Sequence, residues 1–237
     1  MKGIFNLIRF VVAISVLGFM IYFAGRENGE NYCKLTNIII ENKKENGFVT
    51  DSVIIHYLLD SNLHPDSKTV NDVSFKNIES LLSNHPSIKS ANVYSDMQGK
   101  VYISVVQRKP IVRVQNGKEG YYLDEDGLRM PLSNEYTARM LLVTGDINSV
   151  NENDLYYLSD VIIKDEFLKK QIAQIDISNS ELLMLTQIGE QVEFGQIKEV
   201  REKFARLKLY YETGNFQNQE YKTLNLKYKN QIVCIKK

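Results

Sequence analysis

The longest apolar pattern in the chain is residues 4–24, IFNLIRFVVAISVLGFMIYFA, broken only by Asn6, Arg9, Ser15 and Gly18. About 20 such residues cross a hydrocarbon core of about 30 Å, so the pattern predicts a transmembrane helix from Ile4 to Ala24. Lys2 and Arg9 mark its cytoplasmic end, which leaves residues 1–3 as a short cytoplasmic tail and exports the remainder. Arg9 is close enough to that end to snorkel to the interface. A cleaved signal peptide shares this charge order but has a shorter apolar core and ends at small residues. Tyr22-Phe23-Ala24-Gly25-Arg26 places a bulky residue where a small one is needed, so the segment reads as an uncleaved anchor with a linker over 25–34.

Beyond the linker the period changes. Leu35–Ile40 has strand composition and runs into the polar, Gly47-containing stretch 41–48. Thr50 is a suitable helix N-cap, after which Ile54, Tyr57 and Leu58 recur at helical spacing until Leu63-His64-Pro65-Asp66 breaks it. Ser74 caps a second helix with Phe75, Ile78 and Leu82 on one face, ended by Asn84-His85-Pro86. Ile88–Tyr94 and Lys100–Arg108 read as strands joined at Asp96-Met97-Gln98-Gly99. In the second, Val101, Ile103 and Val105 alternate with Tyr102, Ser104 and Val106, as a half-buried strand requires. The order β-α-α-β-β predicts two helices on one face of a three-stranded sheet.

From residue 111 strands dominate. Ile111–Val114 and Gly120–Leu123 flank the turn dipeptide Asn116-Gly117, and Arg139–Thr144 predicts a strand closed by Gly145-Asp146. Leu155, Leu158 and Ile162 share one face of a helix over 154–164, and Ile172–Ile177, Glu181–Thr186 and Gln191–Phe194 are strand-like. A longer helix is predicted from Gln196 to Tyr211. Its stripe of Ile197, Val200, Phe204, Leu207 and Tyr211 faces the core, and Lys198, Arg201, Glu202, Lys203, Arg206 and Lys208 form a solvated side. Over Tyr221–Tyr228, Leu224, Leu226 and Tyr228 alternate with polar residues; after a turn at Lys229-Asn230, Gln231–Ile235 is a last short strand. An apolar strand at a terminus is either paired or an exposed edge, and an exposed edge is a template for another chain.

Charge narrows the partners: 29 basic residues balance 29 acidic ones with no basic run, which excludes the concentrated positive face that nucleic acid requires. Cys33 and Cys234 lie near opposite ends and read as unpaired thiols. His56, His64 and His85 have no Cys or carboxylate at metal-ligand spacing, and no G-x-S-x-G, H-E-x-x-H or P-loop pattern occurs. Asp124 and Asp126 beside Gly127 read as turn formers rather than an acid–base pair. The expectation is therefore a protein that is not an enzyme, with no cofactor, no metal and no small-molecule substrate.

Three segments carry a family resemblance. His85-Pro86-Ser87-Ile88-Lys89-Ser90-Ala91-Asn92-Val93 has a Pro, an aliphatic and an Ala-x-Val across a helix-to-strand junction. Val101–Val112 follows L-x-I-x-V-x-E-R-x-P-V-A, and Tyr122–Gly127 follows L-V-D-x-x-G. In this order, behind a single span, they resemble the FtsQ/DivIB family of bacterial cell-division proteins. Gly99 stands near where many members have Pro. Gln107 replaces the usual Glu, removing a charge beside Arg108 that would matter to a partner.

The resemblance implies an α+β chain: one transmembrane helix, a POTRA domain over 35–110, and a β-rich mixed domain with two helices over 111–237. It implies a single-pass scaffold of the cytoplasmic membrane, located at the division septum. FtsB- and FtsL-like proteins would dock on its final strands and other division proteins on the POTRA domain. Carried over by position, Thr223, Leu224, Leu226, Tyr228, Ile232 and Val233 become contacts along a β-augmented edge, while Arg201, Arg206 and Lys227 receive acidic partner residues. The rival is a POTRA-containing envelope or outer-membrane assembly or secretion factor, which would bring tandem POTRA domains or a barrel.

Overall fold

A computed structural model of the chain describes residues 2–29, 31–43, 47–117, 119–133, 136–213 and 221–236, with side chains of the first helix over 9–22. The chain divides into two units, 1–107 and 108–237. Helix α1 (Lys2–Gly29) opens the first; its 28 residues extend about 42 Å at about 1.5 Å each. All its described side chains are exposed, and the Ser15 hydroxyl donates to the Val11 carbonyl. Among the described residues no helix is long and apolar enough to cross a membrane. The side chains of Ile4 and Ala24, the expected ends of a span, lie outside the described ones.

The rest of the first unit takes the order read from its periodicity: β1 (Lys34–Glu41), α2 (Asp51–Asp60), α3 (Phe75–Ser83), β2 (Ile88–Ser95) and β3 (Lys100–Gln107). β3 is central, parallel to β1 and antiparallel to β2. Its alternation turns Val101, Ile103 and Val105 to the side where Ile54, Leu58, Ile78 and Leu82 are buried. Thr50 and Ser74 cap the two helices by accepting from the amides of Val53 and Asn77. Gln107 corrects an expectation. Its side chain is buried rather than turned to a partner, with Oε1 accepting from Val49 N at 2.9 Å and Nε2 donating to the Glu41 carbonyl at 3.4 Å. A carboxylate cannot make the second of these bonds, so the missing charge serves the fold.

The second unit contains β4 (Pro110–Asn116), β5 (Glu119–Asp124), β6 (Arg129–Pro131), β7 (Leu141–Gly145), α4 (Glu152–Lys164), α5 (Glu166–Gln171), β8 (Ile172–Ser178), β9 (Glu181–Thr186), β10 (Gln191–Gly195), α6 (Val200–Thr213), β11 (Tyr221–Asn225) and β12 (Val233–Lys236). The strands form one sheet in the order β12-β11-β10-β9-β8-β7-β4-β5-β6. Crossovers through α4–α5 and through α6 connect the parallel neighbours β7/β8 and β10/β11. Leu155, Leu158 and Ile162 of α4, Leu168 of α5, and Phe204 and Leu207 of α6 share a core with Val112, Val143, Ile175, Met184, Val192 and Leu224. Gly145 has φ 95°, and a Cβ there would lie 2.1 Å from the Ile177 carbonyl oxygen, so the end of β7 accepts only glycine.

Two departures have local causes. Among the described residues three α-helices form where the pattern predicts two, because α5 is short and fully buries only Leu168, with Phe167 packed partly against the core; its signal is the N-cap Asp165, which accepts from the Phe167 and Leu168 amides. α6 begins at Val200 rather than Gln196, because Gly195 and Glu199 take left-handed backbone (φ 74° and 50°) and hold the intervening residues in a turn.

The segments Val101–Val112 and Tyr122–Gly127 meet at a buried ion pair. Arg108 donates to Asp124 Oδ2 at 2.8 Å, while Asp124 Oδ1 accepts from the amides of Asp126 and Leu128 at 3.0 and 2.7 Å. The side chains are 19% and 1% exposed. Removing one partner of such a pair leaves an uncompensated charge, so Arg108→Ala is expected to cost about 3 kcal/mol and to lower the urea midpoint of the second unit. A loss under about 1 kcal/mol would show that water replaces the guanidinium.

A second carboxylate ties the far end of the sheet to α4. Arg129 Nε and the Tyr121 hydroxyl donate to Glu152 Oε2 at 2.8 and 3.0 Å. The Arg129 bond, more than the Tyr121 bond, holds the Glu152 carboxyl below its ordinary range; burial, then the Glu152 bond, pushes Tyr121 up to about 12. A carboxyl lowered in the folded state stabilises fully above its unfolded pKa and loses that contribution as pH falls through the folded value. The stabilities of wild type and Glu152→Gln should therefore differ above about pH 5 and converge as the pH falls through the lowered folded value. Parallel acid-unfolding profiles would refute this.

Candidate functional site

Among the described residues no group of three or more His, Cys, Asp or Glu side chains is placed to hold a metal ion. The feature left open is backbone. The two edges of the first unit's sheet each have an amide engaged by a side chain: Val93 N of β2 donates to Glu79 at 2.8 Å, and Leu35 N of β1 donates to Asp66 at 2.5 Å. In the second unit, β6 has three residues and ends on Pro131, with Arg129 held over the Tyr121 ring at 4.4 Å. β12, at the opposite end, is paired only to β11. Among the described residues no side chain engages a β12 amide, and Val233 and Ile235 are 41% and 51% exposed on the sheet face away from the helices.

The residues carried over by position separate here. Leu224 and Leu226 are fully buried and Thr223 nearly so, which corrects their assignment as side-chain contacts: they are the core that β11 brings to the sheet. Ile232 is half-buried against that core. Tyr228 is exposed, past the end of β11. Val233 lies on β12 itself, and Ile235, two residues on and on the same face, was missed although the alternation Val233-Cys234-Ile235 marks it.

The basic residues divide too. Arg201 is exposed in the first turn of α6. Arg206 is not free to receive a partner's carboxylate: it donates to the carbonyls of Leu226, at 3.2 Å, and Tyr228. Lys227 pairs with Glu181 at 2.7 Å and Glu193 at 3.8 Å, and its side chain crosses Gly195. Lys203, expected on the solvated side of α6, is buried: Nζ donates to the Phe194 and Gln196 carbonyls at 2.8 Å and sits 4.4 Å from the centre of the Phe194 ring. Burial holds its pKa below the ordinary range, against the opposing charge of Glu199.

Behind β12, Cys234 packs on the helix side against Tyr210 of α6. Burial pushes the Cys234 thiol up, the Tyr210 hydrogen bond opposes this, and the Glu190 charge adds to it. Cys33 and Cys234 are both unpaired. A thiol with a raised pKa is a weak nucleophile, so Cys234 serves here as a small apolar side chain.

The described residues thus form two modules, a β-α-α-β-β domain and a mixed sheet whose terminal strand β12 is paired on one side. A family model described as FtsQ/DivIB, C-terminal related, matches residues 109–235, and a POTRA-like domain matches 31–106. The chain belongs to the FtsQ/DivIB family. No curated protein matches. Among matching solved structures is the major extracytoplasmic domain of the trans isomer of the cell-division protein DivIB from Geobacillus stearothermophilus, at 11% identity over 46% of this chain and 96% of that one, with a TM-score of 0.32. Membership suggests a cell-division scaffold with an extracytoplasmic domain.

Arg206 fixes where the edge begins, since it holds both carbonyls of the segment leaving β11. Arg206→Ala is expected to cost about 1–3 kcal/mol and to raise amide hydrogen exchange across 221–236 more than across β8 and β9. Uniform protection in the variant would show that the clamp is not needed to order the edge.

Proposed function

We propose that the protein is a non-enzymatic divisome scaffold, anchored by α1 and binding FtsB- and FtsL-like partners by strand addition to β12. The observation that carries this reading is the contrast between edges. β1 and β2 each have an amide occupied by a carboxylate, β6 is cut short at a proline, and among the described edges β12 alone offers its backbone beside two exposed β-branched side chains. Natural sheets blunt an edge unless it has a use. In β-augmentation the new backbone bonds supply affinity and alternate side chains supply register, which gives Val233 and Ile235 the reading role.

The same contrast disfavours the rival assembly factor, which needs a receptive edge on the POTRA sheet. The anchor rests on the apolar run 4–24 and on the exposure of every described side chain of α1. Arg201 remains the basic side chain near α6 that can meet an acidic partner residue. Lys227 contributes through the ion pairs that hold its own segment.

The test is calorimetry of the full chain with the soluble FtsB–FtsL-like complex. Val233→Asp with Ile235→Asp should weaken binding at least about tenfold while both units keep their unfolding transitions. Unchanged affinity in that folded variant would sink the reading.

A further inference from the structure

The second unit contains a cleft away from the β12 edge, and its origin is a mismatch of strand lengths. β7 lies between β4 and β8, yet its ladders begin only at the pairs Val112–Leu141 and Leu142–Gln174. β4 starts at Pro110 and β8 at Ile172, so both outlast the strand between them at this end of the sheet. Each is also irregular there: the β4–β5 register shifts between Pro110 and Val112, and the β8–β9 register shifts between Ile172 and Gln174. Bulges of this kind interrupt the ladder, splay strands and re-aim side chains beside binding sites. The notch they leave has a volume of about 400 Å³, walled by Ile111, Met140, Ile163, Ile172 and Ala173.

The described charges around it have one sign. Arg139, Lys169 and Lys109 line it, and among the described residues no Asp or Glu does. Arg139 and Lys169 are exposed, and neither makes an ion pair among the described residues. The groove between α4 and α6 differs. There Lys164 is paired with Asp160 and Lys208 with Asp165, so carboxylates stand among its cations and only Arg201 lacks an ion pair among the described residues. A preformed apolar cavity with a few convergent polar groups is the general form of a binding site. Arg139 and Lys169, exposed and without ion pairs among the described residues, add a requirement for an anion.

We propose that this notch is a second docking site, for an acidic peptide segment of a partner protein that inserts one large apolar side chain between flanking carboxylates. A peptide suits it better than an acyl chain, because β7 stops short of its neighbours and leaves the start of β4 and of β8 without a β7 ladder partner beside the cavity, and such backbone needs polar company. The proposal does not rest on the β12 edge, which lies at the far end of the sheet order.

The probe is the peptide acetyl-Glu-Asp-Phe-Glu-Asp-amide, titrated into the full chain in nanodiscs of zwitterionic lipid while methyl resonances of Ile111, Ile163 and Ile172 are followed. The expected result is saturable shifts of those methyls, at least tenfold weaker binding in Arg139→Glu with Lys169→Glu, and loss of the shifts when Ser replaces Phe in the peptide. Both substitutions sit on exposed side chains, and the Val233→Asp/Ile235→Asp variant should bind the peptide normally. Equal binding by the charge-reversed chain, or by the Ser peptide, would overturn the proposal, as would no binding at millimolar peptide. Shifts with dodecyl phosphate but none with peptide would overturn it in favour of an anionic lipid headgroup.

Discussion

A strand at the end of a sheet keeps one row of peptide groups without a strand partner, and the second unit is organised around which end keeps it. In water such groups are hydrated, so an open edge costs the isolated protein little. On docking, each net backbone hydrogen bond contributes only about 0.5–1.5 kcal/mol, and a four-residue strand has few to give. Side chains must therefore carry much of the affinity. In the docking we propose, Val233 and Ile235 supply it through the apolar area they can still bury, at about 25 cal/mol per Å² before the entropy of association is subtracted.

Keeping that short strand in place falls to α6. Its two inward cations, Lys203 and Arg206, donate to carbonyl oxygens rather than to carboxylates. Carbonyls at strand ends and in turns lack ladder partners, and burying them unpaired is costly. Lys203 satisfies those of Phe194 and Gln196 where β10 turns toward α6, and Arg206 those of Leu226 and Tyr228 where β11 runs toward β12. The helix thus holds the entrance of its own crossover and the far end of the strand that follows it, and its charge is spent inside the fold.

That use of charge is why the site was harder to read from sequence than the fold. Periodicity identified both caps of the first unit, its β-α-α-β-β order and the strand alternation in β3, because each of those signals is local. The alternation of Leu224, Leu226 and Tyr228 was also real. Alternation alone, however, does not say which face is core, and β11 turned out to be an interior strand with Leu224 and Leu226 buried. A lysine or arginine on a helix reads as solvated unless the carbonyls it will meet are known, and those lie up to 22 residues away in the chain. Gln107 shows the same limit. Its partners, Val49 and Glu41, come from segments 58 and 66 residues off, so an apparent loss of surface charge was the making of an interior hydrogen bond.

The described β12 has four residues, which sets a condition on the docking we propose. An interface that small is weak when its partners diffuse freely, since losing translational freedom alone costs several kcal/mol. Tethering removes most of that cost by turning the second encounter into an intramolecular one. The proposed anchor and the proposed docking on β12 therefore belong together: were the partner confined to the same membrane, a short edge would suffice, and a short edge limits pairing with stray strands. A longer, flatter β12 would bind better and aggregate more readily.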